Sequence, residues 1–292
     1  MEIGLMFALL SSACFGVSQV AVRRGVHNAG ESLSAALLSV FVGTLLLLAL
    51  LLFTGEWGKI WSLSWQGFVL LGLAGIIHYV VGRFLNYSSI RIIGANKTVG
   101  ITRTSIFYAV IFGVIFLQES ITLLLVLGVL CIAAGATLAS VQREQKTAQM
   151  PLKGILYALG CAFCYGISGI LVKPAVQEIG SPLAAVSISY VAASILMACF
   201  LFRGRQREQL VKFARVSLLP VVIGGIFVAT AQFLRYIALS YSPVSVVTPI
   251  IGTSGMFVLT FSFFINRKIE VFTWKVIGGI IITVVGTFIL FQ

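Results

Sequence analysis

Long apolar runs alternate with short polar breaks along almost the whole chain. Ten runs are marked, at 3–22, 33–53, 67–87, 95–116, 122–140, 153–173, 182–202, 217–240, 244–265 and 271–291. Each is close to the ~20 residues a helix needs to cross ~30 Å of hydrocarbon. The runs are continuously apolar and do not alternate residue by residue, so they predict membrane helices and exclude a membrane β-barrel. The longest breaks, 54–66, 141–152 and 203–216, are too short to fold as soluble domains. The first run is preceded by Glu2 and by no basic leader, which predicts a retained helix in place of a cleaved signal.

The runs form two sets of five. Setting each residue against the one 150 positions later matches Gly4, Ala8, Leu9, Cys14, Gly16, Ser18, Val22, Val26 and Gly30, nine of the 27 positions between Gly4 and Gly30. At an offset of 149, Phe84 and Tyr87 meet Phe233 and Tyr236, and Thr104-Ser105 meets Thr253-Ser254. The expected units are 1–145 and 146–292. Five is odd, so the second unit must enter the membrane from the opposite side. The predicted fold is an all-α membrane protein of ten transmembrane helices in two inverted repeats, an organisation of secondary transporters that places substrate near the midplane between repeats.

Composition agrees: 59% of residues are hydrophobic, 10% are charged, and the mean hydropathy is +1.09. Soluble domains carry about 25% charged residues. Twenty Lys and Arg outnumber eight acids, all glutamate, for a net charge of +12. Counting the three residues at each end of a run with the adjoining connector, fourteen of the basic residues belong to odd-numbered connectors and two, Lys59 and Lys173, to even-numbered ones. Positive charge marks the cytoplasmic side, so the odd connectors are expected there, both termini outside, and the chain in the plasma (inner) membrane. The basic run Arg203–Arg215 is explained by this anchoring, and no nucleic-acid partner is expected. The five cysteines lie in apolar spans, and Cys161-x-x-Cys164 has no His or carboxylate in step, so neither a metal nor a cofactor is expected. No nucleophile–base–acid set suggests an enzyme. The expected partners are a small-molecule substrate and the bilayer, with the chain a monomer or homodimer.

Polar residues inside the spans are the candidate chemistry. The fourth span opens Asn96-Lys97-Thr98-Val99-Gly100-Ile101-Thr102-Arg103-Thr104-Ser105, too polar for a lipid-facing half-helix. Arg103, about 8 residues in, lies ~12 Å deep at 1.5 Å per residue. An intramembrane charge is a functional-site candidate. Helical spacing puts Asn96, Gly100, Arg103 and Phe107 on one face. Arg83 and Arg235 lie nearer their helix ends, and the repeat offset sets Arg83 opposite Gln232, so they either line a shared cavity or snorkel to the interface. His78, mid-span, is a possible proton site or a structural histidine. Pro249 is expected to open the ninth span at the Ser245 carbonyl, near Thr253 and Ser254. Tyr87 and Tyr236 are expected to wall the cavity. No glutamate lies deep in a span, so the buried excess charge is positive and suits an anionic or zwitterionic cargo. Small-residue stripes at Gly4, Ala8, Ser12, Gly16 and at Gly154, Ala158, Ala162, Gly166 predict close helix packing.

The two five-helix repeats, Phe15-Gly16 and Tyr165-Gly166, the segments closing the third and eighth helices, Leu117-Gln118-Glu119, and Ser242-Pro243-Val244-Ser245 with Pro249 resemble the drug/metabolite transporter superfamily, in particular its ten-helix EamA-type members. Asn266-Arg267-Lys268 stands where such proteins often have Gly-Glu, and Gly100 where they often have Pro. The resemblance implies a secondary transporter of metabolites working by alternating access. On the residues, Arg103 is the expected main substrate ligand, helped by Asn96, Lys97, Thr104, Ser105, Gln232, Thr253 and Ser254. The competing readings are a broad exporter of hydrophobic amines and a non-transporting scaffold or sensor, the latter requiring a dry repeat interface with Arg103 paired internally.

Overall fold

A chain this apolar satisfies its backbone polar groups within each segment, and helices do so locally. The computed structural model describes residues 2–29, 32–93, 95–140, 151–201, 204–265 and 274–291, with side chains at most of these positions. Among them every regular element is helical. The first half contains α1 (Glu2–Ala29), α2 (Ser32–Phe53), a 3-10 segment (Glu56–Ser62), α3 (Trp65–Gly75), α4 (Arg83–Ile93), α5 (Ala95–Thr102), α6 (Ser105–Leu117) and α7 (Leu123–Ser140). The second contains α8 (Leu152–Ile179), α9 (Pro182–Leu201), α10 (Gly204–Tyr241), α11 (Val244–Gly252), α12 (Ser254–Ile265) and α13 (Trp274–Leu290).

Seven helical stretches among the described residues are long and apolar enough to cross a membrane, at 2–21, 33–53, 65–90, 100–117, 152–179, 182–199 and 218–241. Shorter apolar helices at Leu123–Leu138, Val244–Val258 and Gly278–Leu290 occupy the remaining predicted positions. Several helices outrun their apolar stretch. α8 continues to Ile179 through Pro174, and α10 begins at Gly204 and passes through Pro220. Lys173, expected in a connector, therefore lies inside α8. The third predicted span is α3 and α4 joined by a wider π-helical stretch, Ile76–Gly82.

The helices meet in matched pairs. α1 packs on α10 and α12, as α8 packs on α3, α4 and α6; α2 packs on α9, and α7 on α13. Atomic contacts repeat the same exchange. A Cβ on Gly16 would press on Phe257, and one on Gly166 on Tyr108, residues separated by 150 and 149. The Gly4–Ser242 approach is mirrored by Gly154–Ile93, and Gly135–Gly279 by Gly286–Gly128. One pair consists of equivalent residues: Thr44 Oγ1 of α2 and Ser194 Oγ of α9, 150 apart, are hydrogen-bonded at 2.7 Å. The small-residue stripes of α1 and α8 thus lie against the opposite repeat, where close backbone approach substitutes for the hydrophobic drive that lipid does not supply. Leu45, Phe53, Ile115, Phe116, Leu130 and Phe288 are exposed on the outside, as a hydrocarbon solvent allows.

Candidate functional site

The sequence candidates separate into two polar groups inside the bundle, and a third lies at one end. The first surrounds His78 in the π-helical stretch of the third span, a local widening common at functional positions. Its Nδ1 is 2.9 Å from Ser168 Oγ of α8, and its Nε2 is 3.0 Å from Gln232 Nε2 of α10. Arg235 donates to Gln232 Oε1 at 3.3 Å and to Ser168 Oγ at 3.0 Å. This pattern fixes the imidazole. Arg235 can donate only to the amide oxygen, so the amide NH2 turns to His78, whose Nε2 must accept. Nδ1–H then donates to Ser168, whose hydroxyl in turn donates to the Tyr165 carbonyl at 3.0 Å. His78 is neutral in this arrangement, stacked on Tyr165 with ring centroids 4.6 Å apart.

Arg83 is equally internal. It donates to Ser39 Oγ of α2 at 2.9 Å and lies over the Tyr79 ring. Arg83 and Arg235 are both buried, so bonding inside the bundle replaces snorkelling for each. Tyr236, expected to wall a cavity, is instead fully buried and donates to Ser189 Oγ at 2.9 Å, beside Tyr79 and Tyr190 in the packed core.

The second group is built on two interrupted helices. The fourth span breaks between α5 and α6 at Arg103-Thr104, and the ninth between α11 and α12 at Thr253. The offset of 149 makes Thr104 and Thr253 equivalents, and each hydroxyl folds back at 2.7 Å onto a carbonyl three residues earlier, Ile101 and Ile250. The ninth span therefore opens at Thr253, not at Pro249, which lies within α11. The hydroxyl turn makes the break. Met256 N–H donates to the Thr253 carbonyl, leaving that of Gly252 outside the helical ladder. Arg103 Nη1 donates to it. Arg103 and Gly252 are again equivalent positions, 149 apart. Ser12 of α1 joins at Thr253 Oγ1, 2.9 Å away. Ser254 is buried and Ser105 half-buried beside these turns. The break also changes the face: Phe107, expected beside Arg103, is exposed outside the bundle. The side chains of Tyr87, Asn96 and Lys97 lie outside the described residues.

The third group unites two segments that carry the family resemblance in the sequence, Leu117-Gln118-Glu119 and Ser242-Pro243-Val244-Ser245, neither of which is given a site role there. Gln118 takes a left-handed turn, φ 52°, and Glu119 N–H returns to the Gly113 carbonyl at 3.2 Å. The Glu119 carboxylate then crosses to the second repeat. Oε1 accepts from Val244 N–H at 2.7 Å and Lys173 Nζ at 3.0 Å, and Oε2 from Ser245 N–H at 2.9 Å. Gly113 makes room, because a Cβ there would stand 2.7 Å from Oε2. Burial pushes this carboxyl up, but the Ser245, Val244 and Lys173 hydrogen bonds outweigh burial and hold it below the usual carboxylate range. The two glutamate side-chain oxygens thus cap α11, where unpaired N–H groups and the helix dipole favour an anion.

A cleft of about 600 Å³ opens at the same end of the bundle, with Thr54, Glu56, Gln177, Phe233, Ile237 and Tyr241 among its walls. Its Glu56 accepts from Ser181 and pairs with Lys59 at 3.6 Å. Among the described residues, the ion pairs are this one and Lys173–Glu119.

This two-repeat arrangement is found elsewhere. A solved crystal structure superposes with a TM-score of 0.79 over 98% of this chain and 95% of its own, at 14% identity, a level that shows a shared fold. A Sinorhizobium protein described as an uncharacterized transporter in the cobO 3' region is 31% identical over 136 residues, which cover 46% of this chain and 94% of that one. The relative is thus about half as long as this chain. The model of the EamA-like transporter family matches twice, over residues 2–141 and 152–292, leaving only the polar junction between repeats outside. With both halves matched, this multi-pass membrane protein belongs to the EamA-like transporter family.

Proposed function

We propose that the protein is a secondary transporter that moves a small polar metabolite, anionic or zwitterionic, across the plasma membrane by alternating access. The reading takes the chain as ten spans in two inverted repeats with both termini outside. The observation that carries it is the buried group formed by Arg235, His78, Gln232 and Ser168. It joins both repeats, and Arg235 is held by neutral partners, an amide oxygen and a hydroxyl. A guanidinium in a low-dielectric interior binds a carboxylate or phosphate more strongly than it binds these, and presents a planar fork for it. The neutral His78 and the Gln232 amide supply hydrogen bonds for the rest of the cargo. Arg103 acts as the brace between the interrupted helices, and the direct anion-binding role passes to Arg235.

The test is a screen of amino acids, organic acids, nucleobases and sugar phosphates for thermal stabilisation of the purified protein, since a ligand that binds only the folded state raises its apparent stability. Hits are then followed as uptake into proteoliposomes. Anions that stabilise the wild type but not Arg235→Met are expected; stabilisation confined to hydrophobic amines would overturn the proposed cargo. One observation favours a second reading, the internal pairing of Arg103 that a scaffold or sensor requires. That reading predicts no uptake of any stabilising compound.

A further inference from the structure

Building on the transport reading, we infer that α11 is a gate over the central cluster and that Glu119 is the latch that holds it shut. α11 is a half-helix of nine residues, separated from α12 by the turn at Thr253. It belongs to the second repeat in sequence, yet both its ends are fastened by the first. Glu119 caps its first two amides, and Arg103 bonds the carbonyl of its last residue, Gly252. Between those points it packs on α1, α6 and α7.

The latch lies directly beyond the cluster. One face of α8 carries, in order, Tyr165 under the His78 ring, Ser168 bonded to His78 and Arg235, and Gly169. A Cβ added at Gly169 would meet both Val244, 2.8 Å away, and Arg235 Nη2, 3.4 Å away. Lys173, one turn further, holds Glu119. The first residue of α11 therefore covers Arg235, and the ion pair that fixes that residue stands ~6 Å further along α8, at 1.5 Å per residue. Lifting α11 about Thr253 uncovers Arg235 from this end of the bundle, but only if Glu119 lets go of two amides and a lysine.

The test uses the full-length chain with its five cysteines replaced and Val247→Cys introduced on the fully buried face of α11. A small membrane-impermeant maleimide reports how often α11 lifts. Glu119→Gln removes the charge and turns an amide NH2 toward a donor, and is expected to raise the labelling rate about tenfold, the factor for a cap-sized loss of ~1.4 kcal/mol. Lys173→Met, which leaves the carboxylate on the helix amides, should give a smaller rise. Should Glu119→Gln fail to fold, the Lys173→Met rate and hydrogen exchange at the Val244 and Ser245 amides provide the same readout. Labelling and exchange unchanged in both variants would overturn the latch. Because neither measurement needs a substrate, faster labelling in a protein that moves no metabolite would retain the latch and reject the transport reading. Confirmed uptake with unchanged labelling would do the opposite.

Discussion

Replacing Arg103 by Met keeps most of the side-chain volume and removes the guanidinium that joins the two interrupted helices. The Gly252 carbonyl then loses its partner, because the helix ladder passes it by: Met256 N–H is committed to Thr253. Removing a charged donor from a buried acceptor costs ~1.5–3 kcal/mol in soluble proteins, whereas polar contacts between membrane helices average ~0.6 and reach ~1.7 kcal/mol. The site is half-buried and within the bundle, so about 1–2 kcal/mol is expected. At ~2–4 °C per kcal/mol for a chain of this size class, that is roughly 2–8 °C in apparent Tm, read by thermal denaturation of the purified protein. Transport separates the two possible roles. If the protein works by the proposed alternating access, a brace would set how quickly the repeats exchange conformations, and Arg103→Lys, which keeps one donor in reach, should lower the maximal uptake rate with KM unchanged. A substrate ligand would instead raise KM. Wild-type Tm in Arg103→Met would refute the bridge, and a rise in KM alone would return Arg103 to the binding site.

Two other outcomes follow from the packing and the latch. Gly75→Ala places a methyl on the Ser189 carbonyl, which is backbone and cannot yield, whereas at the equivalent Gly225 the nearest atom stands 3.2 Å away. Gly75→Ala should therefore lower Tm by several degrees more than Gly225→Ala, and equal losses would contradict the asymmetry between matched positions. Glu119 has a folded-state pKa below its usual range, so its contribution is present above the ordinary carboxylate pKa and fades as pH falls through the lowered value. The difference in Tm between wild type and Glu119→Gln should be constant from neutral pH down to about 5 and shrink below about 4, within the usual carboxylate range; a difference already gone at pH 6 would refute the depressed pKa.

The spans and the duplication were legible because twenty-residue apolar runs and matching glycines are properties of local sequence. Interior Arg83, Arg103 and Arg235 stood out for the same reason, as charges in apolar text. Their partners did not. Ser39 and Ser168 read as ordinary small residues of packed helices, yet they are what hold Arg83 and Arg235 inside the bundle. Pro249, the stronger helix-breaker, points to an opening of the ninth span at the Ser245 carbonyl, whereas the helix is interrupted at Thr253, whose hydroxyl folds onto Ile250. Glu119 looked like the last residue of a helix; its role depends on amides 125 and 126 positions away, which no local pattern encodes. Lys173 was hidden by a helix that runs past its apolar stretch.

The bond from Arg103 to Gly252 has a consequence for how such a chain could arise. Positions that meet their own equivalents lie where two like units face each other, as Thr44 faces Ser194. Two identical five-helix subunits related by a two-fold axis would there set arginine against arginine, a like-charge clash inside a low-dielectric interior. A single gene carrying both copies is free of that constraint. One copy keeps the cation, the other becomes glycine and offers only a carbonyl, and repulsion turns into a hydrogen bond. Fusion therefore permits an ancestral symmetry element to be rebuilt as a donor and an acceptor, something a homodimer could never encode.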